Sequence, residues 1–211
     1  MKLLKLFAPP LLLVVLFFPA IPPAHAQSNF SMYFGMGTAR VKSNGQSYDF
    51  FGTGMPVSAP AMGGLFGIFG ADYMFRKHIG FGAEYSVHFS QASYAGIDYR
   101  PAFFDFNAIY KPLSGDSRVV PEIQGGLGGE NLKFYLAQQS CIGVSCTTFT
   151  QYLQSSNHFE LHASGGLRIY VKGGVFIRPQ VDIHWVNNNI EFGSDWVPEY
   201  TAAVGYTFGG R

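Results

Sequence analysis

The sequence predicts an all-β protein: an eight-stranded antiparallel up-and-down transmembrane β-barrel, preceded by a cleavable signal peptide. Three observations support this fold class. Apolar and polar residues alternate in eight segments, as in strands whose two faces meet different surroundings. Only 13% of residues are charged, whereas 17% are aromatic and glycine occurs 26 times. The N-terminus is basic and then apolar, which indicates export.

Residues 1–26 are the predicted signal peptide. Two lysines precede an apolar run from Leu11 to Phe18, and Ala24-His25-Ala26 matches a small-residue cleavage site. Prolines around the apolar run leave it too short to span a bilayer as a helix. We therefore expect residues 27–211 to form one outer-membrane β-barrel domain.

The clearest alternation is a hairpin over residues 158–186, with a turn at Lys172, Gly173 and Gly174. A turn of three residues keeps the apolar rows of both strands on one face. This register sets Arg168 opposite Arg178. Because like charges repel, each arginine needs an acidic partner across the barrel, unless the register differs.

The other six strands follow from the same alternation. Three prolines, Pro101, Pro121 and Pro179, fall inside strands of a barrel that has no free edge. A bulge or an unpaired position is expected at Pro179. The six strands are predicted over residues 30–41, 63–75, 79–91, 99–111, 118–129 and 197–208.

The connections differ in length between the two ends of the predicted barrel. Short turns lie on the side of the chain termini, over residues 76–78, 112–117 and 172–174. Longer loops lie at the other end, over residues 42–61, 130–157 and 187–196, and residues 130–157 are interpreted as the longest irregular stretch. Short periplasmic turns and longer external loops are typical of outer-membrane barrels.

The apolar face is expected to point outward, towards lipid. That face is long, aromatic and uncharged, whereas the polar face carries charges with glycine and serine, for which a small barrel has room inside. A water-soluble barrel with its apolar face inside is the alternative. Aromatic belts are predicted at Tyr73, Phe75, Phe81, Tyr110 and Phe208 near one rim, and at Tyr94, Tyr99, Trp185, Trp196 and Tyr200 near the other.

The last strand ends Ala203-Val204-Gly205-Tyr206-Thr207-Phe208. Together with the signal peptide and the eight alternating strands, it resembles the OmpA-like outer-membrane β-barrel proteins over the whole mature chain. The resemblance implies a Gram-negative outer-membrane location and biogenesis by periplasmic chaperones and the barrel-assembly machinery. Tyr206 and Phe208 match its C-terminal signal, although Gly209, Gly210 and Arg211 follow. Members of the family are structural elements, adhesins, small pores and, less often, lipid-modifying enzymes.

The inward-facing polar residues are predicted to form a network that fills the lumen and stiffens the barrel. Acidic residues outnumber the arginines, so we expect protonated histidines or internal water. An eight-stranded barrel is generally too narrow for an open channel. The predicted network is Asp72, Glu84, His88, Asp105, Glu122, Glu160, His162, Arg168, Arg178, Asp182, His184 and Glu199.

Two sets of residues have side chains of the types found in catalytic or metal-binding sites. His162 and Ser164 share a strand face, like a base and a hydroxyl nucleophile, but they face the lumen and depart from the pattern of lipid A deacylases at Gly165 and Gly174. His158, Glu160, His162 and His184 are zinc-ligand types, but the pairing of buried charges explains them without a metal. We predict no catalytic residue, no cofactor and no metal, and a protein that is not an enzyme.

Cys141 and Cys146 are predicted to form a disulfide because exported chains enter an oxidising compartment. The disulfide would shape an exposed loop that touches a surface partner. A net charge of +1 gives no reason to expect nucleic-acid binding. The predicted role is structural or interactive, in adhesion or envelope integrity, with outer-membrane lipid around the barrel. The alternatives are a narrow porin-like channel and a lipid-modifying enzyme.

Overall fold

A computed structural model describes residues 29–43, 45–49, 52, 54, 56–94, 97–113, 117–142 and 145–209. The predicted signal peptide, residues 1–26, lies outside the described residues. Over the described ranges, no helix has the length and apolar character needed to cross a bilayer.

Eight long strands form a closed ring, which confirms the predicted barrel. The order around the ring is β5-β4-β1-β11-β10-β9-β8-β7, and β5 pairs with β7 to close it. Two short strands, β2 and β3, pair in the first loop, while β6 pairs with the start of β7. The strands are β1 Asn29–Ala39, β2 Ser47–Tyr48, β3 Val57–Ser58, β4 Phe66–Met74, β5 Ile79–His88, β6 Ala92–Tyr94, β7 Ile97–Tyr110, β8 Val119–Ile142, β9 Ser145–Lys172, β10 Val175–Val186 and β11 Trp196–Phe208.

Apolar side chains cover the outside of the ring and charged side chains line the inside. Along β10, exposed and buried residues alternate almost without exception. Large apolar side chains such as Phe34, 70% exposed, and Phe106, 63% exposed, contact little protein. Such a surface suits hydrocarbon, so the ring is a membrane barrel with its apolar face towards lipid. Tyr99 was predicted for the outer aromatic belt but is buried inside, because it shares the inward parity of Phe103 and Asp105.

The barrel has two unlike ends. The terminus end carries Asn29 and Phe208 together with the short turns, of which the shortest is Gly173–Gly174. The loop end carries the longer connections. At the Gly173–Gly174 turn, Lys172 pairs with Val175, and a bulge then restores the predicted register, with Ile177 opposite Ile169. The turn therefore has two residues plus a bulge where three residues were predicted, and Gly173 has a φ of 54° that favours glycine.

The prediction of an irregular stretch over residues 130–157 was wrong. β8 and β9 continue through it as a paired ribbon, from Glu130 opposite His158 to Ile142 opposite Ser145. Outside the bilayer both faces of a ribbon meet water, so the apolar–polar contrast that reveals a strand is lost. Strand-forming residues remain, such as the run Thr147-Thr148-Phe149-Thr150.

Each of the three prolines lies where the hydrogen-bond ladder to one neighbouring strand has ended or is interrupted. Pro101 lies just beyond the last β5–β7 pair, and Pro121 lies before the first β7–β8 pair. Pro179 falls in a gap in the β9–β10 ladder, between Ile177–Ile169 and Gln180–Gly166, which confirms an unpaired position. A nitrogen without a hydrogen is tolerated there because no ladder bond is required of it.

Candidate functional site

Arg168 is the centre of a charge network near the terminus end of the lumen. Its side chain is completely buried, and its guanidinium donates to Asp72 Oδ2 and to Glu122 Oε2, both at 2.8 Å. It also donates to Ser31 Oγ at 2.9 Å and lies over the ring of Phe176, 4.4 Å from the ring centroid. A buried guanidinium needs this much compensation.

Arg178 occupies the same level of the lumen on the next strand. The strand pairs on either side of it, Ile177–Ile169 and Gln180–Gly166, place Arg178 opposite Arg168, as predicted. Arg178 donates to Glu122 Oε1 and Glu84 Oε2, both at 3.0 Å, so the two arginines share one carboxylate and each has a second of its own. The expectation of acidic partners for both arginines is confirmed, and those partners lie on other strands.

Sequence reasoning missed two members of this network. Lys111 Nζ lies 3.6 Å from Asp72 Oδ1 and 3.5 Å from Glu122 Oε2. Tyr33 donates to Glu84 Oε2 at 2.8 Å, and Arg178 lies over its ring. Both residues have the inward parity of their strands, which was the available signal. Three cations thus meet three acids in what we call the inner charge layer: Lys111, Arg168, Arg178, Asp72, Glu84 and Glu122.

Nearer the loop end, histidines take the place of arginines. His184 Nδ1 lies 2.6 Å from Glu160 Oε1, and its Nε2 lies 3.2 Å from Glu199 Oε2. Both ring nitrogens therefore face carboxylates, and only the imidazolium form can donate from both. The ring stacks between those of Phe103 and His162, with centroids 4.7 and 4.9 Å away.

His162 forms the second half of this region. Its Nε2 lies 2.9 Å from Asp182 Oδ1 and its Nδ1 lies 2.8 Å from Asn107 Oδ1. Neither nitrogen bonds Ser164, whose buried hydroxyl has no hydrogen-bond partner. The arrangement is not that of a base activating a nucleophile. We call this region the outer histidine layer: Asp105, Glu160, His162, Asp182, His184 and Glu199.

Glycines on β8 make room for the outer histidine layer. A Cβ at Gly126 would collide with the Phe106 carbonyl and the Asn107 side-chain oxygen. A Cβ at Gly128 would collide with the Phe104 carbonyl and lie 2.8 Å from Asp105 Oδ1. Both glycines point inward between Glu122 and Glu130, so the missing side chains leave space for polar groups of β7.

The structure brings together eleven of the twelve residues of the predicted network. His88 is the exception: it is buried, but its Nδ1 contacts the Ser90 carbonyl and its ring packs edge-on against Phe66. His158, weighed as a possible metal ligand, also lies apart. Its Nε2 lies 3.3 Å from Glu191 Oε1 in the last loop.

Buried apolar side chains form two clusters in the lumen, one against the inner charge layer and one towards the loop end. At the terminus end the inner apolar cap contains Tyr33, Val120, Tyr170, Phe176 and Ala203. The cap at the loop end is larger and includes first-loop residues, which the sequence analysis did not predict. This outer apolar cap consists of Ala39, Val41, Met62, Phe66, Tyr99, Phe103, Leu132, Phe134, Val186, Phe192 and Val197.

The ribbon formed by residues 131–157 projects beyond the barrel, and we call it the projecting hairpin. Its last pair with β7 is at Tyr135, and seven further β8–β9 pairs follow, about 23 Å at 3.3 Å per residue. Cys141 and Cys146 near its tip are joined, which confirms the predicted disulfide. No charged residue occurs from Phe134 to Asn157. Phe149 and Tyr152 are about half exposed.

The last loop is tied to the base of the projecting hairpin. His158 contacts Glu191 and the Asn187 carbonyl, and the Asn187 amide donates to the Phe159 carbonyl at 2.8 Å. Burial is the largest single influence and raises the pKa of Glu191, but the hydrogen bonds from His158, Ser156 and a backbone amide, together with the charge of His158, lower that pKa to below its usual range. The loop is therefore held by an ionic contact outside the bilayer.

The comparison with protein families gives a match over nearly the whole chain. The family described as outer membrane protein beta-barrel domain matches residues 11–208. No curated protein matches the sequence.

Solved structures of similar fold are small outer-membrane barrels. Neisserial surface protein A is 16% identical with a TM-score of 0.56, over 84% of this chain and 96% of that one. The attachment invasion locus protein Ail of Yersinia pestis, solved with the heparin analogue sucrose octasulfate, is 17% identical with a TM-score of 0.53, over 86% and 99%. OprG from Pseudomonas aeruginosa is 19% identical with a TM-score of 0.51, over 84% and 95%. Identities this low show the fold alone.

Proposed function

Because the chain belongs to the outer membrane protein beta-barrel domain family, we propose that it is a surface-interaction protein of the Gram-negative outer membrane. The barrel is the anchor, and the projecting hairpin binds an extracellular protein. The observation that carries this proposal is an ordered, uncharged ribbon that extends about 23 Å past its last pair with β7.

The edges of the projecting hairpin are suited to pairing with another chain. β8 has no pair with β7 beyond Tyr135, and β9 has no pair with β10 on the tip side of Glu160, among the residues that the structure describes. Open strand edges recruit extended segments of other proteins unless charges or prolines block them. Neither charge nor proline occurs from Phe134 to Asn157.

The composition of the projecting hairpin favours a protein partner over a polyanion. Ail was solved with a sulfated heparin analogue, and binding of such an anion requires arginine or lysine. Lys133, at the base of the hairpin, is its only cationic residue. Exposed Phe149, Tyr152 and Leu153 instead offer aromatic and apolar contacts of the kind found at protein interfaces.

We also propose that the protein is not an enzyme. Ser164 and His162 are not hydrogen-bonded to each other, and both lie inside the lumen. A depression on the lipid-facing wall, near Gly165 and Pro179, has no acid, histidine, lysine or arginine among its lining residues. A lipid chain could lie in it, but Tyr200 is the only titratable side chain among its lining residues, and no acid, histidine or lysine lines the depression to act with it.

Replacing residues 136–151 with an Asn-Gly turn tests the proposed function, because Tyr135 and Tyr152 still pair below the cut. Adhesion of cells that display each protein to immobilised extracellular-matrix proteins and to cultured epithelial cells is the measurement. We expect the truncation to reduce adhesion at least about tenfold, the effect of losing about 1.4 kcal/mol of binding energy.

The control variant shortens the first loop between Gly45 and Pro56 and leaves the projecting hairpin intact. Heat-modifiability gels establish that all three barrels are folded. Equal adhesion of the truncated and intact proteins would overturn the surface-interaction role. Increased detergent sensitivity of cells that lack the whole protein, not seen with the truncation, would assign the barrel to envelope integrity instead.

A further inference from the structure

We propose that the outer histidine layer binds one transition-metal ion of the zinc class, through Asp105, His162 and His184. These buried residues each offer one ligand atom, and the three atoms lie within 4.8 Å of one another. Two imidazoles and a carboxylate form a typical zinc donor set. No metal was expected from the sequence, and Asp105 was not expected beside the two histidines, because it lies on β7, which pairs with neither β9 nor β10.

Unsatisfied carboxylate oxygens are the second observation that points to a cation. Asp182 Oδ2 has no hydrogen-bond partner, and no other donor reaches Asp105 Oδ1 or Glu160 Oε2, whose two carboxyl groups lie within hydrogen-bonding reach of each other; the three residues are at most 4% exposed. A buried carboxylate oxygen without a partner is costly, and native structures contain few of them. A divalent ion at Asp105 would satisfy one such oxygen directly and lower the electrostatic cost of the others.

The charge balance of the lumen supports the same conclusion. Asp105, Glu160, Asp182 and Glu199 are acidic, and no described lysine or arginine forms an ion pair with any of them. The inner charge layer, by contrast, matches three acids with three cations. Buried carboxylates need compensation, which a doubly charged ion provides.

The histidines already have partners of the kind that surround metal sites. If one nitrogen of His184 binds the ion, the other still contacts Glu160 or Glu199. If Nδ1 of His162 binds the ion, Nε2 still contacts Asp182. A carboxylate behind each histidine fixes the ring and raises its basicity, as in most metal sites with histidine ligands.

Metal content and cobalt spectroscopy test the proposal without an activity assay. The barrel is refolded in detergent with zinc or cobalt, freed of excess metal by gel filtration, and analysed for metal per chain. We expect about one zinc per folded barrel, and intense visible absorption from cobalt in a four-coordinate site. Folded wild-type protein without bound zinc, or cobalt absorption as weak as that of the hydrated ion, would overturn the proposal.

Variants identify the ligands. We expect Asp105→Asn, His162→Gln and His184→Gln to lose zinc, and Glu160→Gln to weaken zinc binding by about 10–100-fold. His88→Gln is the matched control, since His88 is equally buried but bonds the Ser90 carbonyl. Retention of zinc by folded His162→Gln and His184→Gln would overturn the assignment. If a variant does not fold, the wild-type cobalt spectrum still decides whether a coordinated metal is present.

Discussion

The inner charge layer and the outer histidine layer lie in the same lumen, but they compensate their carboxylates differently. In the inner layer the partners of the carboxylates are two arginines and a lysine. In the outer layer the partners of the carboxylates are imidazoles, whose nitrogens also bind metals. One barrel wall thus holds a network of paired fixed charges beside a cluster of imidazoles and carboxylates whose ligand atoms are of the types that zinc prefers.

Cations of the inner layer share a carboxylate. Glu122 accepts from both arginines, so three strands, β8, β9 and β10, are linked through one side chain. In the outer layer each histidine contacts its own acids, and several oxygens have no partner. The unpaired atoms of the inner layer are donor nitrogens, Arg168 Nε and Arg178 Nη2, whereas those of the outer layer are carboxylate oxygens.

The free energy of unfolding should fall most when an arginine of the inner charge layer is replaced, and less when a histidine of the outer histidine layer is replaced. Arg168→Met leaves Asp72 and Glu122 with Lys111 and Arg178 as their remaining cations, and we expect a loss of about 3–5 kcal/mol in the free energy of unfolding. His184→Gln in the outer layer keeps a polar side chain, and we expect a loss of about 1–3 kcal/mol. Urea unfolding in lipid vesicles measures both.

Arg76→Met is the control for Arg168→Met, because Arg76 is exposed in a terminus-end turn. Its effect should stay within about 0.5 kcal/mol. Equal losses for Arg168→Met and His184→Gln would show that the two layers do not differ as described.

The outer histidine layer should depend on the absence of a side chain at Gly128. Gly128→Ala places a Cβ against the Phe104 carbonyl and Asp105 Oδ1, and we expect a loss of about 1–3 kcal/mol from strain on the backbone. Gly165→Ala is the matched control on β9, because nothing lies within 4 Å of its Cβ position. Urea unfolding should find that control within about 0.5 kcal/mol of wild type, and similar losses for both would contradict the assigned role of Gly128.

The smallest effect concerns the ionic contact that holds the last loop outside the barrel. Because the pKa of Glu191 is lowered, its bond to His158 stabilises the loop above the ordinary carboxyl pKa and is lost as pH falls through the lowered value. Glu191→Gln should cost about 1 kcal/mol or less at neutral pH. Protection of residues 187–195 from hydrogen exchange, corrected for the intrinsic exchange rate at each pH, should fall in acid for wild type only; the same fall in both proteins would assign it to another group.

The barrel and its inward rows could be predicted because a period of two distinguishes lipid-facing from lumen-facing residues. Parity therefore placed Asp72, Arg168 and Glu199 inside, as the structure confirms. Parity does not say which side chains meet across the lumen. That depends on ring closure and stagger between strands, so the contact of Asp105 with the histidine pair could not be derived.

Other features were missed because the local pattern fails. Inward-facing Phe66, Phe103 and Phe176 look like lipid-facing residues in the sequence, so the two apolar caps were not foreseen. The strands of the projecting hairpin lack alternation because both of their faces meet water. Lys111 was predicted only as the last residue of a strand, although its position in the alternation already indicated an inward-facing side chain.

Ion conductance in planar bilayers most directly tests the central claim that side chains and apolar caps close the lumen. We predict that purified barrel, shown to be folded by heat modifiability, gives no discrete current steps at any voltage or salt concentration tried. Steady steps whose size follows the salt concentration would contradict a closed lumen and favour a narrow channel.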